Sequence, residues 1–182
     1  MRKKNIVFLS GLVGLLIWSC GHNMESKKDA REEKNRILQQ EDGIVSLKLD
    51  KATCYSDAVS PSNNTADWNI VISKPGRFKV WLSNATRDTS DLRYANSVII
   101  NMLDDHLDVN PLCDKIVHNS GDVHYPYYRA DSYMGSVYVS EPGEYNIQVI
   151  SEKVIGRTVK SQNTSLADDT KLMSVILTPI TY

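Results

Sequence analysis

Apolar and polar positions alternate with a period of two along most of this chain. Trp68, Ile70 and Ile72 alternate with Asn69, Val71 and Ser73, and Phe78, Val80 and Leu82 alternate with Lys79, Trp81 and Ser83. That period belongs to strands with one buried face. Between the two runs stands Lys74-Pro75-Gly76-Arg77. Pro75 presets the φ of a turn's second position and Gly76 accepts a positive φ at the third, so the stretch predicts a β-hairpin. The design returns later, where Val137 and Val139 lead into Glu141-Pro142-Gly143-Glu144 and Tyr145, Ile147 and Val149 lead out. Two hairpins of one design, far apart in sequence, predict the two sheets of an all-β sandwich.

Further strands are expected over 44–49, 96–103, 115–118 and 171–178, with loops over 51–66, 84–95, 104–114 and 152–169 and a long aromatic loop over 119–132. Helical periodicity is absent from this part of the chain. The expected fold class is therefore all-β, a two-sheet β-sandwich of jelly-roll type.

The N-terminus reads differently. Arg2, Lys3 and Lys4 precede an apolar run from Ile6 to Trp18 that is too short for a comfortable membrane span. The run closes on Ile17-Trp18-Ser19-Cys20, which resembles a bacterial lipobox although Trp18 is bulky for its place. The resemblance implies a lipoprotein signal peptide over 1–19 and lipidation of Cys20. Residues 20–42 are dense in charge and read as a tether, leaving the sandwich domain to 43–182. The expected location is the cell envelope, as an outer-membrane lipoprotein facing periplasm or cell surface, with the membrane engaged through Cys20.

Composition narrows the function. The 182 residues carry a formal net charge of -1, with no clustered basic excess, so a nucleic-acid partner is not expected. No Gly-rich phosphate loop, Gly-x-Ser-x-Gly or His-Glu-x-x-His occurs, and no enzymatic activity is expected, although scattered carboxylates leave room for a small hydrolase or lyase.

The runs ADWNIVISKPGRFKVWLSNAT, MGSVYVSEPGEYNIQVISEKV and KLMSVILTPI are similar to the galactose-binding-like jelly rolls of carbohydrate-binding modules, as appended to bacterial fucosidases and other glycan-degrading proteins. The similarity spans roughly 44–180 and lies in core and turn positions, which specify fold better than ligand. It implies a non-catalytic glycan-binding domain. The alternative is a structural or assembly subunit that holds an envelope protein. Some relatives hold a structural calcium between acidic residues of the first and last strands. Asp50 lies near the first strand, but 171–178 has no carboxylate, so no cofactor or metal is expected. His106, His118 and His124 match no familiar zinc spacing.

Outside the cytoplasm the pair Cys54 and Cys113 is expected to form a disulfide. Glycan sites need flat aromatic faces and a few fixed polar groups. The richest stretch is His124–Tyr133, with Tyr125, Tyr127, Tyr128 and Tyr133 as stacking rings and Arg129 and Asp131 as hydrogen-bonding groups. Arg93 and Tyr94 are expected at the same end. Trp68 reads as core, and an outward Trp81 would be a second platform.

Overall fold

Eleven strands organise the described residues, 36–155 and 170–181 of this computed structural model. The leader, Cys20 and the tether up to residue 35 lie outside them. The strands are β1 (Arg36–Leu38), β2 (Val45–Lys48), β3 (Thr53–Tyr55), β4 (Thr65–Ile72), β5 (Gly76–Thr86) and β6 (Val98–Met102). They continue as β7 (Asp105–Val109), β8 (Lys115–Val117), β9 (Tyr128–Val139), β10 (Gly143–Ile150) and β11 (Thr170–Pro179). One sheet runs β1-β4-β10-β6-β7, with β3 also on β4; the other runs β2-β11-β5-β9-β8. The inward residues of both sheets form one core that includes Trp68, Ile70, Phe78, Val80, Ile100, Ile147 and Leu177. Fully burying each large side chain contributes about 1.5–3 kcal/mol.

The sandwich follows the alternation, but the two hairpins do not form. β4 and β5 lie in different sheets, and so do β9 and β10. Each Pro-Gly turn carries the chain across the core instead of along a sheet. The two arches then stack: β4 pairs antiparallel with β10, and β5 with β9. Ile72 stands opposite Gly143 and Gly76 opposite Val139, so the two turns sit side by side at one end. Gly76 has φ +151°, whereas Gly143 is not among the glycines with positive φ. The turns share residues without sharing backbone geometry. A Pro-Gly pair reverses the chain, but the choice between an in-plane and a cross-layer reversal belongs to the long-range partners.

Several loops also shorten. β3 and the start of β4 occupy part of 51–66, β7 part of 104–114, and β9 begins inside 119–132. The last residues assigned to the tether join the sandwich. β1 pairs parallel with β4, and Ile37 packs against the core. Gln39 fastens this segment. Its Oε1 accepts from Ser73 N at 3.0 Å, Ser73 Oγ at 3.1 Å and Lys74 N at 2.7 Å, while its Nε2 donates to the carbonyls of Gly43 and Lys74. Gln39→Ala should therefore cost about 1–3 kcal/mol, less than five full hydrogen bonds because water reaches the site. Thermal unfolding checks this, and hydrogen exchange should show the loss concentrated in β1 and the 73–76 turn.

The expected disulfide is absent: Cys54 and Cys113 are not bonded to each other. Cys54 lies on β3 in the first sheet, whereas Cys113 leads into β8 at an edge of the second.

The outer face of the first sheet carries a chain of polar side chains. His106 Nδ1 and Asn101 Oδ1 are 2.7 Å apart, Asn101 Nδ2 donates to Gln148 Oε1 at 3.1 Å, and Gln148 donates to Asp67. Burial pushes the Asp67 carboxyl above its ordinary value, against the lowering effect of Gln148. Its Oδ1 is buried without a partner. The native state therefore binds this proton more readily than the unfolded chain does. Its favourable contribution is complete below the unfolded value near 3.8 and is lost as pH rises through the higher folded value. Asp67→Asn should raise the melting temperature at pH 7, with the gain fading toward pH 4, as melting curves across that range would show.

Candidate functional site

The outer face of the second sheet is where chemically useful side chains gather. Strict alternation back from Val139 and Val137 through Gly135 would turn Tyr133 into the core. A bulge changes this. Gly135 pairs with Val80, Met134 is the extra residue and is buried, and Tyr133 pairs with Trp81. The phase of the strand reverses there, so Tyr133, Asp131 and Arg129 all face outward beside Trp81, Ser83 and Ala85. Gly135 has φ +127°, and a Cβ there would come within 3.0 Å of Leu107, so glycine suits the bulge on two counts.

Trp81 and Tyr133 form the aromatic part of the face. Their ring centroids are 5.3 Å apart at an interplanar angle of 57°. Trp81 Nε1 donates to Thr178 Oγ1 at 3.3 Å, which fixes the indole against β11. Tyr133 is 42% exposed, far more than a core tyrosine, and its backbone N–H donates to Asp114 Oδ2 at 2.7 Å. Ile176 stands directly opposite Trp81 on β11.

A chain of ion pairs crosses the same face from β2 to β9. Lys48 Nζ lies 3.3 Å from Asp122 Oδ1, and Asp122 Oδ2 accepts from Arg129 Nη1 at 3.1 Å. Arg129 then grips Asp131 with two parallel bonds, Nε to Oδ1 at 2.9 Å and Nη2 to Oδ2 at 3.1 Å. Burial alone would lower the Arg129 guanidinium; the hydrogen bonds and charges of Asp131 and Asp122 outweigh it and hold the group above its usual value. Asp122 comes from the loop after β8, so that loop is tied down over the sheet. Beside the chain opens a cleft of about 570 Å³ lined by Trp81, Arg129, Asp131, Lys79, Lys115 and Ile176, with Ile44, Pro179 and Ile180 also in its lining. A smaller depression of about 190 Å³ lies on the Lys48 and Asp122 side.

The predicted site residues divide. Arg129, Asp131 and Tyr133 meet on this face. Tyr125, 92% exposed, precedes Pro126 across a cis peptide in the loop. Tyr127 is half-buried, with Arg87 and Lys171 over its ring at 5.0 Å and 5.4 Å. Tyr128 lies opposite Thr86 at the strand's end and is 45% exposed. Arg93 pairs with Asp88 at 3.5 Å. Tyr94 packs against the core, donates to Asn84 Oδ1 at 2.6 Å and lies under Lys153. It anchors its loop rather than joining the outer face. Trp68 is core as expected, with Nε1 donating to the Lys48 carbonyl at 2.9 Å.

Lys79, Lys115, Ser46, Ile176 and Thr178 went unnoticed in the sequence because only strand pairing brings them together. The i, i+2, i+4 spacing of Arg129, Asp131 and Tyr133 was the available signal. Burial, with Asp114, Asp131 and Asp88 adding to it, pushes the Cys113 thiol up, against formation of the thiolate. Among the described residues no three His, Cys, Asp or Glu side chains converge as a metal site.

No protein-family model and no curated protein matches the chain. Among solved structures it is similar to an alpha-L-fucosidase from Vibrio sp. strain EJY3, with TM-score 0.61 and 20% identity, over 80% of this chain and 24% of that one. A GH26-CBM35 beta-(1,4)-mannanase from Podospora anserina aligns over 78% of this chain and 28% of its own, with TM-score 0.46 and 10% identity. The mosquito-larvicidal Cry4Aa toxin from Bacillus thuringiensis aligns over 82% and 25%, with TM-score 0.49 and 10% identity. The fucosidase likeness is one of fold, and the chain spans about a quarter of that enzyme's length.

Proposed function

We propose that this chain is a non-catalytic glycan-binding β-sandwich and that the outer face of the second sheet is its site. The observation that carries the reading is Trp81, in ring contact with Tyr133, lining a cleft together with the fixed Arg129–Asp131 pair. Sugar rings present flat C–H faces and a rim of hydroxyls. Exposed aromatic rings pack against the first, and preset polar groups answer the second. At about 570 Å³ the cleft has room for a few sugar units.

A glycosidase would need two carboxylates at a working separation. Asp131 is the one carboxylate among the described lining residues of the larger cleft, and Arg129 holds both its oxygens. That supports binding without catalysis. The corresponding fold in an alpha-L-fucosidase agrees with a setting of glycan handling. The lipobox-like Ile17-Trp18-Ser19-Cys20 would fix the domain to the cell envelope through a lipid on Cys20, facing periplasm or cell surface.

Affinity electrophoresis against plant, host and microbial polysaccharides tests the reading. Retardation by a defined subset, with an unretarded control protein, is expected. No retardation by any of them would overturn it in favour of a protein partner, which crosslinking in the envelope would then identify.

A further inference from the structure

Resting on the glycan reading above, we infer that the ligand is acidic, a polysaccharide carrying carboxylate or sulfate groups, and that Lys79 and Lys115 receive those groups. The charges of the face decide this. Lys48, Asp122, Arg129 and Asp131 form an alternating chain in which each charge already has an opposite neighbour. Lys79 and Lys115 line the same cleft and are exposed, and neither side chain makes an ion pair or hydrogen bond among the described residues. Lys79 stands two residues before Trp81 on β5, and Lys115 stands opposite Asp131 on β8. They therefore flank the aromatic pair from two directions. The lining of the cleft carries Lys79, Lys115 and Arg129 against the one carboxylate of Asp131, an excess of positive charge beside Trp81, although the whole chain carries a net charge of -1.

A neutral glycan would use the rings and leave both ammonium groups in water. An acidic one stacks on the rings and also places its anionic groups beside the lysines. The attraction is strongest at low salt, because the screening length is about 8 Å at physiological ionic strength. Two surface ion pairs should together amount to about tenfold in affinity.

Matched polymers separate charge from shape. Affinity electrophoresis compares polygalacturonate with its fully methyl-esterified form, and carrageenan with agarose, for the wild-type chain and Lys79→Gln/Lys115→Gln. Circular dichroism verifies folding. The expected result is about tenfold tighter binding to at least one acidic polymer than to its neutral counterpart. The double substitution should abolish that preference. Preference for polygalacturonate assigns a carboxylate and preference for carrageenan a sulfate. Equal binding of acidic and neutral forms would overturn the inference while the glycan reading stood. So would an acidic preference that survives the double substitution. Binding to none of these polymers, nor to any in the wider panel, would overturn both.

Discussion

Arg129→Met should lower the stability of the domain by about 3 kcal/mol, the low end of the range for breaking a buried pair. The cost lies in what is left behind. Asp131 is 5% exposed, and its two oxygens accept from Arg129 alone in the ion-pair chain. Without the guanidinium a buried carboxylate loses both of the charged hydrogen bonds that hold it. For a domain of this size the melting temperature should fall by roughly 10 °C. Arg129→Lys keeps a charge but loses the planar two-bond grip, so it should fall in between. Lys48→Met, at the exposed end of the chain, should cost under about 1 kcal/mol. Arg129→Met with Asp131→Leu should recover much of the loss, since both charges are then gone. Calorimetry on the four variants ranks them. A loss for Arg129→Met no larger than that for Lys48→Met would mean that the pair is not buried as described.

The face that carries this pair was half legible in the sequence. Period-two alternation located β4, β5, β10 and β11 and put Trp68 in the core. The partners of those strands were hidden. A hairpin and an arch have the same apolar alternation and the same Pro-Gly turn, and only the eleven-residue match of β5 to β9 tells them apart. The start of β9 was hidden too. Its inward residues there are Ala130 and Ser132 and its outward ones Arg129 and Asp131, so no large apolar side chain marks the strand. Its composition flagged Arg129, Asp131 and Tyr133 all the same. Their common direction depends on the bulge at Met134, which a single strand's sequence does not reveal without the strand opposite. Lys79 and Lys115 were further out of reach, because they sit on separate strands and meet only across β9.

At the proposed glycan site, Trp81→Ala should remove most of the affinity. A central aromatic anchor typically contributes at least about 2 kcal/mol to binding, which is a loss of roughly 30-fold or more. The fold should survive. Trp81 lies outward between the buried Val80 and Leu82, and its side chain makes one hydrogen bond, to Thr178. Tyr133→Ala should cost roughly tenfold, since that ring supports Trp81 at 5.3 Å and is partly exposed already. Tyr94→Phe should leave affinity unchanged while lowering stability by about 1 kcal/mol through the lost bond to Asn84.

The most direct measurement is titration calorimetry of the best polysaccharide from the panel against the wild-type chain, Trp81→Ala and Tyr125→Ala. The proposed site predicts that Trp81→Ala loses binding with its fold intact and that Tyr125→Ala, on the exposed loop, binds like wild type. Full affinity in Trp81→Ala together with loss in Tyr125→Ala would contradict it and move the site to the loop.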